Sequence, residues 1–126
     1  MPTGQVNFVV ALRAEAEPII EYFRMSPIDS EEGFCRFGNI QRGIGLILSG
    51  IGRNNAATAV CHQACETNYA AWINLGTVVH YGLPLGAARI AHKVHCVPTR
   101  RSWYPQFIFE IPCPTATVRT IDRISE

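Results

Sequence analysis

The run "QVNFVVALRAEAEPIIEYFRM" does most to limit what this chain can fold into. Its first part is rich in β-branched and aromatic residues and predicts a buried strand. Its second part places Ile19, Ile20 and Phe23 at helical spacing behind acids in the first turn, and predicts a helix. Pro18, close to that helix start, would remove only a donor that is unpaired anyway. A strand passing almost directly into a helix opens an α/β unit, and the pattern recurs. "GFCRFGNIQRGIGLILSG" has two apolar runs around "GN" and predicts a β-hairpin from Phe34 to Leu48. In "SGIGRNNAATAVCHQACETNY", Asn54 or Asn55 can cap a helix whose buried face would be Ala56, Val60 and Ala64, flanked by Ala57, Cys61 and Cys65. "AAWINLG", "AARIAHKVHCV", "QFIFEI" and "TATVRTI" read as strands. The order β-α-β-β-α-β followed by further strands predicts an α/β fold with a mixed central sheet flanked by helices. The chain stops at "DRISE", just after a strand, where such a fold would place another covering helix.

At 126 residues the chain suits a single domain, and 48% hydrophobic against 17% charged residues describes a packed chain, not a disordered one. The longest apolar runs are too short to cross a bilayer, and the N-terminus lacks a secretion-signal pattern, so no membrane partner and a soluble, cytoplasmic protein are expected. Five cysteines with no CxxC pair suggest buried thiols, not a disulfide framework or a zinc ribbon. The net charge of +1 hides a split: residues 1–88 hold five basic and seven acidic side chains, residues 89–126 six basic and three acidic. That asymmetry is too small to imply nucleic acid.

Four stretches can carry chemistry. "SGIGRNNA" is a glycine-containing strand-to-helix turn that can aim N–H groups at an anion, but it reads GxGxxN and lacks the third glycine of a dinucleotide fingerprint. A tight turn beside the sheet explains Gly50 and Gly52 equally well. Glu15 stands where the first strand gives way to the first helix, at the carboxyl edge where open α/β sheets bind ligands; it can act as a general base or, more simply, complement the helix dipole. Glu17 and Glu21 read as a solvated face. In "HKVHC", strand geometry would send His92 and His95 to opposite faces, and His92 and Cys96 are too far apart for one ion, so no metal site is expected. Cys61 and Cys65 share a helical face that reads as core, and His80 reads as a surface loop residue. Finally "RRSWYPQF" can stack and bind a single strand of nucleic acid, or can close a subunit interface or a neighbouring pocket.

Taken in order, "VVALRAEAEPI", "GLILSGIGRNNAATA", "WINLGTVVHYGLPLGAARIAHKV" and "SWYP" resemble the nucleoside phosphorylase/nucleosidase superfamily, closest to its methylthioadenosine/S-adenosylhomocysteine nucleosidase branch. The resemblance implies cleavage of the N-glycosidic bond of an adenosine-type purine nucleoside through an oxocarbenium-like transition state, with no cofactor and no metal. It puts Glu15 at the water-positioning glutamate, Leu12 at a hydrophobic pocket position and Ile51 near the water and sugar. The family's small-residue run, commonly GSAG, becomes Gly76, Thr77, Val78 and Val79, so two β-branched residues stand where the nucleoside should slide along the main chain. Trp103 would help close the pocket, from this chain or from a partner subunit.

Further departures follow from the same resemblance. The family's ribose-holding Met-Glu pair and its purine-protonating aspartate have no counterpart here, so the resemblance describes residues 1–126 as one partial domain, cut short before the C-terminal part, with impaired or no activity. Its "ALRAEAEP" lacks the glycine that precedes a phosphate-binding arginine in the phosphorylase branch, which favours water as acceptor and leaves Arg13 as the only support for phosphate. The rival expectation is a non-catalytic homo-oligomeric module that covers its open sheet by self-association. A third is a dinucleotide-binding domain using "GIGRNN".

Overall fold

The computed structural model describes residues 5–28, 33–67, 70–107 and 109–122. It divides into two compact units, Met1–Val78 and Val79–Glu126.

In the first unit the described strands are β1 (Gln5–Val10), β2 (Ser26–Ile28), β3 (Arg36–Asn39), β4 (Ile44–Leu48) and β5 (Ala70–Leu75), with helices α1 (Arg13–Tyr22) and α2 (Arg53–Glu66). They form one mixed sheet in the order β2-β3-β4-β1-β5, in which β1 runs parallel to both β4 and β5 while β2-β3 and β3-β4 are antiparallel. The architecture is the mixed α/β class expected from the pattern. Asn7, Phe8, Val9 and Val10 are buried in succession because a helix covers each face of β1. Phe8 and Val10 pack with Ala16 and Ile19 of α1 and with Phe37 and Leu46, whereas Val9 packs with Ile47 and with Ala59 of α2.

Several local expectations change. Pro18 lies in the middle of α1, so the Ala14 carbonyl has no i+4 donor; Ala14 is exposed, where water can satisfy it, and the packing of Ala16 and Ile19 holds the turn. The hairpin exists, but its reversal is a 3-10 turn over Ile40–Arg42, capped when Asn39 Oδ1 accepts the Arg42 N–H at 3.3 Å. The positive φ of 66° falls on Gly43, not on the "GN" pair. Helix α2 is capped by Gly52, not by Asn54 or Asn55; Asn55 instead donates from Nδ2 to the Ile51 carbonyl at 2.7 Å. The inward residues of α2 are Ala56, Ala59, Val60, His62 and Gln63, which leaves Ala57, Cys61, Ala64 and Cys65 outside. Of the five thiols only Cys96 is buried, while Cys113 is half-buried and Cys35, Cys61 and Cys65 are exposed.

The α2 face closes on a polar network. Asn7 Oδ1 accepts from Gln5 Nε2 (3.1 Å) and Gln63 Nε2 (3.3 Å), while Asn7 Nδ2 donates to Thr67 Oγ1 (2.9 Å). Gln63 Oε1 in turn accepts from Arg36 Nε at 2.7 Å, and Arg36 Nη1 meets Glu66 Oε2 at 3.0 Å. Asn7, Gln63 and Arg36, the buried polar side chains of this network, thereby keep partners, which they must if burial is not to cost more than it returns.

In the second unit β6 (Ile90–Cys96) lies between β7 (Arg101–Trp103), antiparallel, and β8 (Thr115–Thr120), parallel. "QFIFEI" forms no strand among its described residues, and Ile108 lies outside them. No helix among the described residues is long and apolar enough to cross a membrane.

A Cβ on Gly45 would sit 2.8 Å from Asn7 Oδ1 and 3.0 Å from Gln63 Nε2, inside the polar network. Gly45→Ala is expected to destabilise the protein by about 1–3 kcal/mol in urea unfolding, because neither amide can yield without losing a partner. Gly38→Ala should cost clearly less, since its closest obstacle is the exposed end of Ile28 at 2.7 Å.

Candidate functional site

Parallel pairing places Val10 opposite both Leu48 and Leu75, so β4, β1 and β5 end together. The three exits are Ala11-Leu12 into α1, Ser49–Gly52 into α2, and Gly76-Thr77-Val78. The second exit is tied to the first: Ser49 N–H donates to the Val10 carbonyl at 2.9 Å and Gly50 N–H to the Ala11 carbonyl at 3.1 Å. Gly50 and Gly52 hold φ of 81° and 98°, values that only glycine adopts without strain, and this lets the loop turn sharply off the sheet.

Glu15 is the third residue of α1, and its carboxylate is surrounded by donors. Oε1 accepts the Leu12 N–H at 3.2 Å, which closes half of a capping box because leucine has no side-chain oxygen to return. Oε2 accepts both the Thr77 N–H at 2.7 Å and the Thr77 hydroxyl at 2.9 Å. A Cβ on Gly76 would stand 3.6 Å from the same oxygen. Two loops that are 62 residues apart in sequence therefore meet at hydrogen-bond distance, with no gap of sugar width between Glu15 and Gly76. A carboxylate has about four acceptor directions. Three are filled by these donors, and one, on Oε1, is left for a ligand or a water.

The other candidates divide between the units. Leu12 is the N-cap of α1 and is exposed, and Ile51 (73% exposed) and Val78 (74%) project from the neighbouring exits. Val79 and Trp103 belong to the second unit; Val79 is exposed, and Trp103 faces Val94 across β7-β6. Arg13 is already engaged, with Nε 2.6 Å from Glu17 Oε1 and its guanidinium 4.9 Å from the centre of the Phe37 ring. His80 Nδ1 accepts the Gly82 N–H at 2.8 Å. Among the described residues, no group of three or more His, Cys, Asp or Glu side chains is placed to hold a metal ion. A shallow groove of about 400 Å³, lined by Arg24, Ser26, Gly38, Asn39, Ile40 and Gln41, opens at the opposite, amino end of β4. The resemblance places Glu15 opposite the loop beginning at Gly76 across a cleft that fits a sugar ring; the two do face each other, but at hydrogen-bond distance, with Thr77 as the partner and no cleft between them.

Comparison with solved structures finds the 5′-methylthioadenosine/S-adenosylhomocysteine nucleosidase of Neisseria meningitidis in complex with methylthio-immucillin-A, at TM-score 0.61 and 26% sequence identity. The match covers 72% of this chain and 41% of that one, so the chain spans well under half of its structural neighbour. No family model matches the chain, and no curated protein matches it significantly. The chain has the α/β fold of the nucleosidase superfamily.

The Glu15–Thr77 contact predicts a measurable coupling. Glu15→Gln keeps an oxygen for Thr77 but turns an NH2 toward the Leu12 N–H, and should cost about 1–2 kcal/mol; Thr77→Val removes one donor and should cost about 0.5–1.5 kcal/mol. In denaturant unfolding, the double variant should fall short of the sum by at least about 0.5 kcal/mol.

Proposed function

We propose that the Glu15 end of the first unit is a nucleoside site, and that the chain binds an adenosine-type nucleoside where its structural neighbour holds an adenosine-like inhibitor. The observation that carries this reading is the carboxylate of Glu15, held by Thr77 and Leu12 with one acceptor direction left open, at the carboxyl ends of three parallel strands. Its support is the nucleosidase-superfamily fold, together with the order in which the matching segments occur.

In the chemistry this implies, Glu15 orients a water and takes its proton as the water oxygen bonds to the anomeric carbon. The carbon–nitrogen bond breaks with its electron pair leaving on the purine. That electron pair is the difficulty. An adenine anion is a poor leaving group, and general acid assistance is worth about 10²–10⁴-fold. The resemblance assigns the assisting acid to none of these 126 residues. Leu12, Ile51, Thr77 and Val78 of the first unit would line the site. Val78 would narrow the room for the sugar, and a threonine spent on Glu15 would bind the nucleoside less than a free hydroxyl. Binding with little turnover is the expected behaviour.

The test has two parts. Methylthioadenosine or methylthio-immucillin-A at about a hundredfold excess over Kd should stabilise the protein by about 2.7 kcal/mol. Adenine release under the same conditions should stay near the uncatalysed rate. Release that Glu15→Gln abolishes would show that these residues suffice for catalysis; absence of any stabilisation removes the nucleoside site itself.

A second reading, a homo-oligomeric binding module, is favoured by one observation. Strand β5 lies at the edge of the first unit's sheet and exposes Trp72, Ile73 and Leu75, an apolar edge that a second copy could cover. Light scattering behind size-exclusion chromatography should then give a defined oligomer at micromolar concentration, and a monodisperse monomer removes the reading.

A further inference from the structure

The two faces of the second unit's sheet differ: one is mainly apolar with Arg101 at its end, the other carries Lys93, His95 and Arg119, and a bulge enlarges this cationic face. Val94 pairs with Trp103 and Val118, and Cys96 pairs with Arg101 and Thr120, so these side chains share one face. On the other, Ser102, His95 and Arg119 form a row across the three strands, and Lys93 pairs with Thr117 in the adjacent row. Lys93 Nζ lies 5.8 Å from the centre of the Tyr104 ring, which extends that second row.

On a regular strand His92 would belong to the apolar face. The ladder shifts between Ala91 and Lys93, so that His92 and Lys93 together oppose Thr117, and His92 Nε2 reaches Thr117 Oγ1 at 3.4 Å. The expectation that His92 and His95 point apart is thereby corrected: the bulge turns both to one side.

The groups on this face are matched to an anion. Lys93 and Arg119 supply two fixed positive charges, and neither has a carboxylate partner among the described residues. Ser102 Oγ and His95 Nδ1 are 2.9 Å apart; with the serine donating, the imidazole carries its proton on Nε2 and can donate it outward. Beside the two histidines the charges of Lys93 and Arg119 repel a metal cation. Neighbouring strands lie about 4.8 Å apart and residues i and i+2 about 6.5 Å, so side chains of the two rows start close enough to converge on one tetrahedral oxyanion.

We propose that this face binds a phosphate group, as inorganic phosphate or as the phosphate of a small monoester, with Lys93, His95 and Arg119 as its principal donors. Arginine and lysine on one phosphate make the shorter, stronger class of hydrogen bond. A single strand of nucleic acid fits less well. Its bases need an aromatic platform, but Trp103 lies on the opposite face and the Tyr104 ring already carries Lys93. The inference is independent of the nucleoside site.

The experiment is an amide-resolved NMR titration of the whole chain at constant ionic strength with inorganic phosphate, ribose 5-phosphate and a short oligothymidylate. Saturable shifts are expected at residues 92–95, 102–104 and 117–119. Arg119→Gln and Lys93→Gln should each weaken binding about tenfold or more. Arg101→Gln removes the same charge from the other face and should leave the affinity unchanged. Tighter binding of ribose 5-phosphate would identify a monoester, and tighter binding of phosphate the free ion. Equal losses in all three variants, shifts on both faces, no saturation, or tighter binding of the oligonucleotide would each overturn the proposal.

Discussion

The register of β1 is the constraint on which the rest of the first unit depends. Both faces of this strand are covered, and they are chemically unlike: Phe8 and Val10 enter an apolar layer under α1, while Asn7 enters the polar network under α2. A slip of one residue would carry Asn7 into the layer of Phe37 and Leu46, stripped of Gln63 and Thr67, and would bring phenylalanine against Gln63. An unpaired buried amide costs about 1–3 kcal/mol, a large part of the stability of a small domain. Gly45 belongs to the same device, since its missing side chain leaves the room that the amides of Asn7 and Gln63 occupy.

That register reaches the carboxyl end of the sheet through geometry alone. Because Val10 stands opposite Leu48 and Leu75, the exits of β4, β1 and β5 are level, and the first turn of α1 meets the loop after β5. Glu15 then finds Thr77 without either loop needing length to reach. The contact has a double consequence for chemistry. A carboxylate fixed by two donors on one oxygen and one on the other is already oriented, so no reorganisation is needed when a water binds. The same bonds occupy most of its acceptor capacity. A threonine here favours a fixed carboxylate over an adaptable one, and the β-branched Val78 that follows stiffens the loop further.

What could be read from the sequence follows the range of the forces involved. The strand and helix at the start were legible because period and composition are local, and "AAWINLG" and "TATVRTI" were legible for the same reason. Pro18 misleads because its cost is outweighed by tertiary packing of Ala16 and Ile19. The "GN" pair misplaces the hairpin reversal by a few residues, since Asn39 acts through its side chain as a cap and Gly43 supplies the positive φ. The inward face of α2 is hidden in the sequence because Gln63 has the chemistry of a surface residue, and only Arg36 and Asn7 satisfy it inside. Strands β2 and β7 are three residues each, too short to show a period. Glu15 and the loop beginning at Gly76 are legible as opposed places through the resemblance, but the direct bond from Thr77 that fills the space between them is not, since side-chain reach across two loops has no local signature.

The bulge in β6 is the sharpest case, because nothing in "IAHKVHC" announces it: no glycine, no proline, no break in composition. One extra residue in one strand reassigns His92 from the face of Val94 to the face of Lys93 and His95, and converts an amphipathic strand with a misplaced histidine into one with a continuous polar side. The net charge of the whole chain gives no hint of this, since +1 is the sum of an acidic front and a basic end. Charge matters where a sheet gathers it. In the first unit Arg13 and Arg36 are each paired with a glutamate, whereas Lys93 and Arg119 stand on one face of a three-stranded sheet without one among the described residues. Register therefore governs both units, by excluding a slip in β1 and by including one in β6.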